Sequence, residues 1–200
     1  KHDIDVRLAD APELRRLDGR TLALSSRASA ATRLFQLAHQ VALTAQADLI
    51  GATLDLSGLA SDEAREIARI GLANYFAGAA LMPYARFQAA AEAARHDIEA
   101  LAQTFGASLE QAAHRLSTLQ RPGAKGAPFF FVRVDQAGTI TKRHSATRLQ
   151  FARHGSACPL WNVHQAFETP GRILRQLAET PDGVRYICLA TAVAKPGGGF

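Results

Sequence analysis

An α+β fold is predicted for this 200-residue chain: a helical first part with a small β unit at its front, followed by a small antiparallel sheet. Three observations give it. Between Leu34 and Leu119 apolar residues recur three and four apart, the spacing of helices with one buried stripe. Ile4, Val6 and Leu8 alternate with polar residues, and Leu22 and Leu24 do so again. Beyond Gly126 the period becomes two once more, after a linker-like stretch at residues 121–126. The expected division is therefore a helical subdomain over 1–121 and a β-rich subdomain over 122–200, the second cut short at its C-terminus.

The bulk properties suit two packed cores. The chain is 48% hydrophobic and 20% charged, and no run of about eighteen apolar residues could cross a bilayer. It opens on Lys1 with no secretory signal, which reads as a piece of a longer cytoplasmic protein with no membrane partner. Two cysteines, Cys158 and Cys188, make no disulfide framework. The net charge is +5, carried mainly by arginine, whose planar guanidinium suits nucleic acid and phosphorylated small molecules alike.

In chain order, the Asp18-Gly19 turn signal joins the two alternating segments, and a small antiparallel unit is expected. Ser25, Ser26 and Ser29 offer N-caps for a helix whose apolar stripe is Leu34, Leu37, Ala38, Val41 and Ala45. Ser61, Asp62 and Glu63 open the next helix, since acidic groups suit a helix start. Residues 72–82 hold one strongly polar side chain, Asn74, so this part is expected to lie inside the domain with no face to water. Pro83 ends it and starts another. Phe87, Ala91, Ala94, Ile98, Leu101 and Phe105 then predict one long amphipathic helix stopping at Gly106, and Ser108 with Gln111 forms a capping box for a third. Phe130, Val132 and Val134 share one strand face. Residues 135–138 turn the chain toward a strand at 139–143, Leu149 and Phe151 suggest a short strand, and residues 184–193 an inner one.

The central stretch also carries a resemblance. Ala73-Asn74-Tyr75-Phe76-Ala77 followed by Leu81-Met82-Pro83 is similar to the signature of the ImmA/IrrE metallopeptidase-like domain. The longer run from Met82 to Phe87, with Cys158-Pro159-Leu160-Trp161-Asn162-Val163-His164 downstream, resembles the sensor region of short-chain fatty acyl-CoA-responsive helix-turn-helix (XRE-type) transcriptional regulators, the propionate and acetate type. An active peptidase of the resembled kind needs His-Glu-x-x-His, two histidines one turn apart on zinc and a glutamate activating water. This chain reads His39-Gln40-Val41-Ala42-Leu43, and the residues before the Ala-Asn pair, Arg69 to Leu72, supply no third ligand. No peptidase activity and no metal in this piece are the expectation, with His39 a core or pocket residue.

The resemblance implies a sensor that binds a short-chain acyl-CoA, such as propionyl- or acetyl-CoA, or CoA itself, and controls a DNA-binding domain preceding Lys1. A homodimer is expected, and an iron–sulfur centre in the parent protein, held by a cysteine-rich segment beyond this chain. Such a ligand wants guanidinium donors for its phosphates and a narrow apolar channel for its arm. Arg7, Arg33, Tyr84, Arg86, Arg143 and Arg148 are the candidate polar contacts, and Phe35, Phe87 and Trp161 the candidate channel. His144, His154 and His164 with Cys158 invite a metal reading, but lack the tight spacings of a zinc ribbon. Against the sensor stands a second reading, a DNA-contacting helix-turn-helix at residues 98–120 presenting Ser108, Glu110, Gln111, His114 and Arg115 to a major groove.

Overall fold

The structure, a computed structural model, describes residues 3–149 and 160–193. Phe151, His154 and Cys158 lie outside the described residues. The chain divides into two compact units, residues 1–115 and 116–200.

The first unit begins with a three-stranded sheet. Strand β3 (Thr21–Ser25) lies in the middle, with β1 (Asp5–Ala9) and β2 (Arg15–Asp18) at the edges. β2 and β3 form the hairpin that the Asp18-Gly19 signal predicts, Gly19 taking the positive φ of 55° that such a tight turn requires. β1 departs from the expected antiparallel unit. It runs parallel to β3, Val6 beside Leu22 and Leu8 beside Leu24, because the hairpin's first strand is the polar segment from Arg15, which has no alternating apolar pattern to announce it.

Two helices follow, α1 (Ala30–Ala45) and α2 (Ala47–Asp55), and then α3 (Asp62–Leu81). Ser29 and Ser61 cap α1 and α3, their hydroxyls accepting from the amides of Thr32 (3.2 Å) and Ala64 (3.1 Å). Ala42, Ile50, Leu54 and Ala73 form a shared core, with Leu43, Leu72 and Phe76 packed against it. α3 is not sealed on all sides as expected: Ala73 and Ala77 are buried, while Asn74 is exposed, Tyr75 is 64% exposed and Ile67 72%. The reason is in its composition. Alanine and glycine carry too little apolar area to force every face inward, and Asn74 is hydrated instead of needing a buried partner.

The long helix expected after Pro83 is also broken in two, α4 (Tyr84–Ala93) and α5 (Ile98–Phe105). Arg95 and His96 take positive φ, the His96 amide closes on the Ala91 carbonyl at 2.7 Å, and Asp97 caps α5 by accepting from the Ala100 amide at 3.0 Å. The apolar period survives because the break keeps the inward face: Phe87 is fully buried with its ring 5.1 Å from Phe105. α6 (Leu109–Ser117) carries the predicted capping box, with Ser108 N donating to Gln111 Oε1 at 2.8 Å and Gln111 N to Ser108 Oγ at 3.1 Å.

Among the described residues the second unit holds two antiparallel hairpins, β4 (Phe130–Val134) with β5 (Ile140–Ser145), and β6 (Leu174–Glu179) with β7 (Arg185–Ala190). The turn at residues 135–138 closes as read, Gly138 N donating to the Asp135 carbonyl at 2.9 Å. Leu149 is in no strand, and Ile187 and Leu189 on β7 are exposed, so the inner strand expected there is one side of a two-stranded ribbon. The short helix α7 (Asn162–Glu168) packs on β6 and β7. Buried Asn162 ties all three together, its side-chain amide donating to the carbonyls of Leu174 and Cys188, each at 3.2 Å.

The α3–α4 corner has its own clamp. Arg115 is 5% exposed, its Nε donates to the Met82 carbonyl at 2.9 Å, and its guanidinium lies 5.8 Å from the centre of the Tyr84 ring. A carbonyl left at the end of α3 by Pro83, which has no amide proton to continue the helix, thereby gains a charged donor. Arg115→Leu is expected to destabilise the protein by about 2 to 4 kcal/mol, since it removes a buried charge-assisted bond and leaves that carbonyl dry. Urea unfolding measures it; a loss below about 0.5 kcal/mol would show that the corner holds without the clamp.

Candidate functional site

α1 turns its polar pair inward. His39, 2% exposed, and Gln40 are buried with Ala42, whereas Leu34 and Val41 of the expected stripe are half exposed. The helix is thus rotated from the reading that apolar spacing alone gives, and His39 must be satisfied inside. It is. Nδ1 contacts Nη1 of Arg15 from β2, whose Nη1 also donates to Gln36 Oε1 at 3.0 Å, and a ring N–H bonds to the Ile70 carbonyl on α3. Arg15 holds no acceptor, so Nδ1 accepts and Nε2 carries the proton: the ring is neutral, and fixed from two sides.

This is where the resembled peptidases hold zinc, and the residues do not fit the metal. Gln40 cannot act as the general base, Leu43 is a member of the core in place of the second histidine, and the Nδ1 lone pair of His39 faces a guanidinium. A cation is still present at the histidine, supplied by the chain itself.

Burial first, and the Arg15 charge second, push His39 below the ordinary histidine value of about 6.5, outweighing its bond to Ile70. A depressed folded-state value means that below about pH 6.5 the unfolded chain takes a proton that the folded chain refuses, so this contribution to stability is complete above that pH and lost as pH falls. The melting temperature should therefore drop between pH 7.5 and pH 5 by more in the native sequence than in His39→Gln. Equal pH slopes in the two proteins would contradict the neutral, arginine-held ring.

The other candidate residues fall as follows. In the first unit Arg7 is exposed on β1, 3.7 Å from Asp5 and on the strand face opposite Val6. Arg33 is half buried near the start of α1 and donates to the carbonyls of Ala28 (2.5 Å) and Ser26 (3.4 Å). Phe35 is half buried on the same helix; Tyr84 lies under Arg115, Arg86 is exposed two residues on, and Phe87 is sealed in the core against Phe105. In the second unit Arg143 is exposed on β5 opposite Val132. Arg148 is exposed near Asp182, whose carboxyl is held below its usual range by the Thr180 hydroxyl and, to a lesser degree, by Arg148. Trp161 is half buried at the start of α7.

His144, one of the histidines weighed as a ligand, shares a hydrogen bond of 3.0 Å with the buried Ser117, and Cys188 is the one cysteine among the described residues, its thiol pushed up by burial. These make no iron–sulfur ligand set. A shallow groove of about 510 Å³ beside Ser29, Gly106 and Leu109 contains Glu99 and no cation, which does not suit a phosphorylated ligand. Of the side chains in the helix-turn-helix reading, Arg115 is buried and bonded to the Met82 carbonyl rather than presented on a surface. Sequence reasoning missed Arg15 and weighed Arg115 only as a DNA contact; the first sits in a polar strand with no pattern, and the second's partner is a backbone carbonyl.

Taken together, the first unit is a peptidase-like helical domain whose metal position holds His39, Gln40 and Leu43 with the Arg15 guanidinium in place of a zinc ligand set. Residues 1–117 match the IrrE N-terminal-like domain, and residues 118–200 match the family described as short-chain fatty acyl coenzyme A regulator, C-terminal. Over more than half of its length the chain belongs to the IrrE N-terminal-like domain family, and the rest carries the C-terminal region described for short-chain fatty acyl coenzyme A regulators. It is 70% identical to the propionyl-CoA carboxylase regulator of Cereibacter sphaeroides over 98% of this chain and 43% of that protein. It is 54% identical to the HTH-type transcriptional regulator PrpR of Mycobacterium tuberculosis over 84% of this chain and 35% of that protein. A solved structure of a Mycobacterium tuberculosis transcriptional regulator superposes with a TM-score of 0.89 at 48% identity, covering 97% of this chain and 60% of that one. The chain thus spans less than half the length of these curated relatives.

Proposed function

We propose that this chain is the ligand-sensing part of a bacterial transcriptional regulator, that it binds a short-chain acyl-CoA such as propionyl- or acetyl-CoA, and that a DNA-binding domain outside residues 1–200 reads the occupancy. The observation that carries the proposal is the match of residues 118–200 to a family described as short-chain fatty acyl coenzyme A regulator, C-terminal, alongside relatives described as regulators. The converted metal position supports it by removing hydrolysis as the purpose of the fold. The protein would act as a homodimer in the cytoplasm, as regulators of two-fold operators do.

The chemistry asked of the site is phosphate capture and a short apolar slot. Arg7, Arg33, Arg86, Arg143 and Arg148 are the proposed phosphate donors, Tyr84 a hydroxyl contact, and Phe35 and Trp161 the walls for the pantetheine arm and acyl tail. Phe87, fully buried with its ring against Phe105, is not among the proposed walls. Arg86 is the sharpest test: it is exposed next to Tyr84 and, among the described residues, engages no ion pair. For occupancy to reach DNA, the ligand must prefer one of two arrangements of the regulator, with a coupling of about 1 to 3 kcal/mol.

Calorimetry of the chain with propionyl-CoA, acetyl-CoA and free CoA tests this. Saturable heat is expected for the thioesters, weakened about tenfold or more by Arg86→Ala or Arg143→Ala, the worth of one charge-assisted phosphate contact. A folded protein that gives neither heat nor a thermal shift at millimolar ligand would contradict the proposal.

A further inference from the structure

On the sheet side of α1 lies an apolar cavity of about 210 Å³, walled by Val6 and Leu22 from β1 and β3 and by Leu37 and Val41 from the helix. Two polar side chains, Gln40 and Thr44, also reach its lining, and no charged residue does. Thr44 gives its proton to the Gln40 carbonyl at 2.9 Å, so its oxygen offers the cavity lone pairs only. Gln40 is 7% exposed, and among the described residues its side-chain amide has no hydrogen-bond partner. No fully enclosed side-chain nitrogen or oxygen in the described structure lacks a partner, so the unpaired amide atoms of Gln40 are accessible, and the cavity is lined by that residue.

An amide in that position costs free energy until something meets it, and an apolar wall around one unpaired donor and acceptor is the ordinary make-up of a small-molecule site. We infer that this cavity binds a compact neutral molecule with a short alkyl body and one head group that both donates and accepts, a primary carboxamide or an alcohol. The volume sets the size: an apolar cavity of about 150 Å³ holds benzene, so this one holds about six to nine heavy atoms. The wall sets the charge. A carboxylate would lose its hydration with no cation opposite it, whereas a carboxamide exchanges two hydrogen bonds with Gln40 and loses little. Val6 and Val41, both half exposed, stand at the rim and leave a route in. The site lies on the strand face opposite Arg7 and does not depend on the acyl-CoA proposal.

Pentanamide titrated into the intact chain, followed by the methyl resonances of Val6, Leu22, Leu37 and Val41, tests the inference. Saturable shifts confined to those methyls are expected, with pentanoate binding at least tenfold more weakly. Gln40→Leu should weaken pentanamide at least tenfold while leaving the far-ultraviolet spectrum unchanged, and Ala45→Leu, which adds bulk to the lining, should abolish binding; the second variant answers the question if the first does not fold. Shifts that do not saturate, pentanoate binding as tightly as pentanamide, or unaltered affinity in Ala45→Leu would each overturn it.

Discussion

The contact between Arg15 and His39 is the constraint from which the first unit is best understood. A helix that points a histidine into the core must answer both of its ring nitrogens, or lose a few kcal/mol on the order of an unmet buried hydrogen bond. In a metallopeptidase the metal answers one of them. Here an edge strand, β2, reaches over with a guanidinium, α3 offers the Ile70 carbonyl to the other nitrogen, and the next turn of α1 gives up its ligand for Leu43. Arg15 ties β2 to α1 and His39 ties α1 to α3, and the charge at the site keeps its sign while losing its capacity to activate water.

A second arginine, Arg115, is buried outright and plays a different part. Arg115 acts on backbone, taking up the Met82 carbonyl where Pro83 interrupts the helical ladder, and it covers the Tyr84 ring as it does so. Tyr84 and Arg86 consequently start α4 from a fixed corner, the rigid setting that a binding group needs in order to contribute affinity without being ordered by the ligand. A basic chain can thus use its arginines in two ways: Arg115 sealed inside and Arg15 half buried serve as structural cations, while Arg7, Arg86, Arg143 and Arg148 are left on the surface.

Much of the fold was legible because it is written in local chemistry. Ser29, Ser61 and the Ser108–Gln111 pair cap the helices that their positions announce, Pro83 marks the corner, and the turn at residues 135–138 closes the hairpin between β4 and β5. What escaped depends on tertiary partners. Strand β2 is polar and short, so the parallel pairing of β1 had no sign in the pattern. The break at Arg95 and His96 is invisible to periodicity because Phe87 and Phe105 stay on one face across it. α1 buries His39 and Gln40 in preference to Leu34 since the partner decisive for its rotation, Arg15, is far off in sequence. Of the candidate site, the loss of the peptidase groups could be read directly from Gln40 and Leu43, whereas the guanidinium that replaces the metal could not.

We propose that this scaffold has exchanged a metal for a phosphorylated thioester. Equilibrium dialysis of the chain against labelled propionyl-CoA, with zinc and with a chelator in parallel chambers, addresses both halves of the exchange at once. Close to one thioester should be retained per chain whether or not the chelator is present, with no zinc retained above the level of a denatured control. One zinc held per chain with no thioester retained would contradict it.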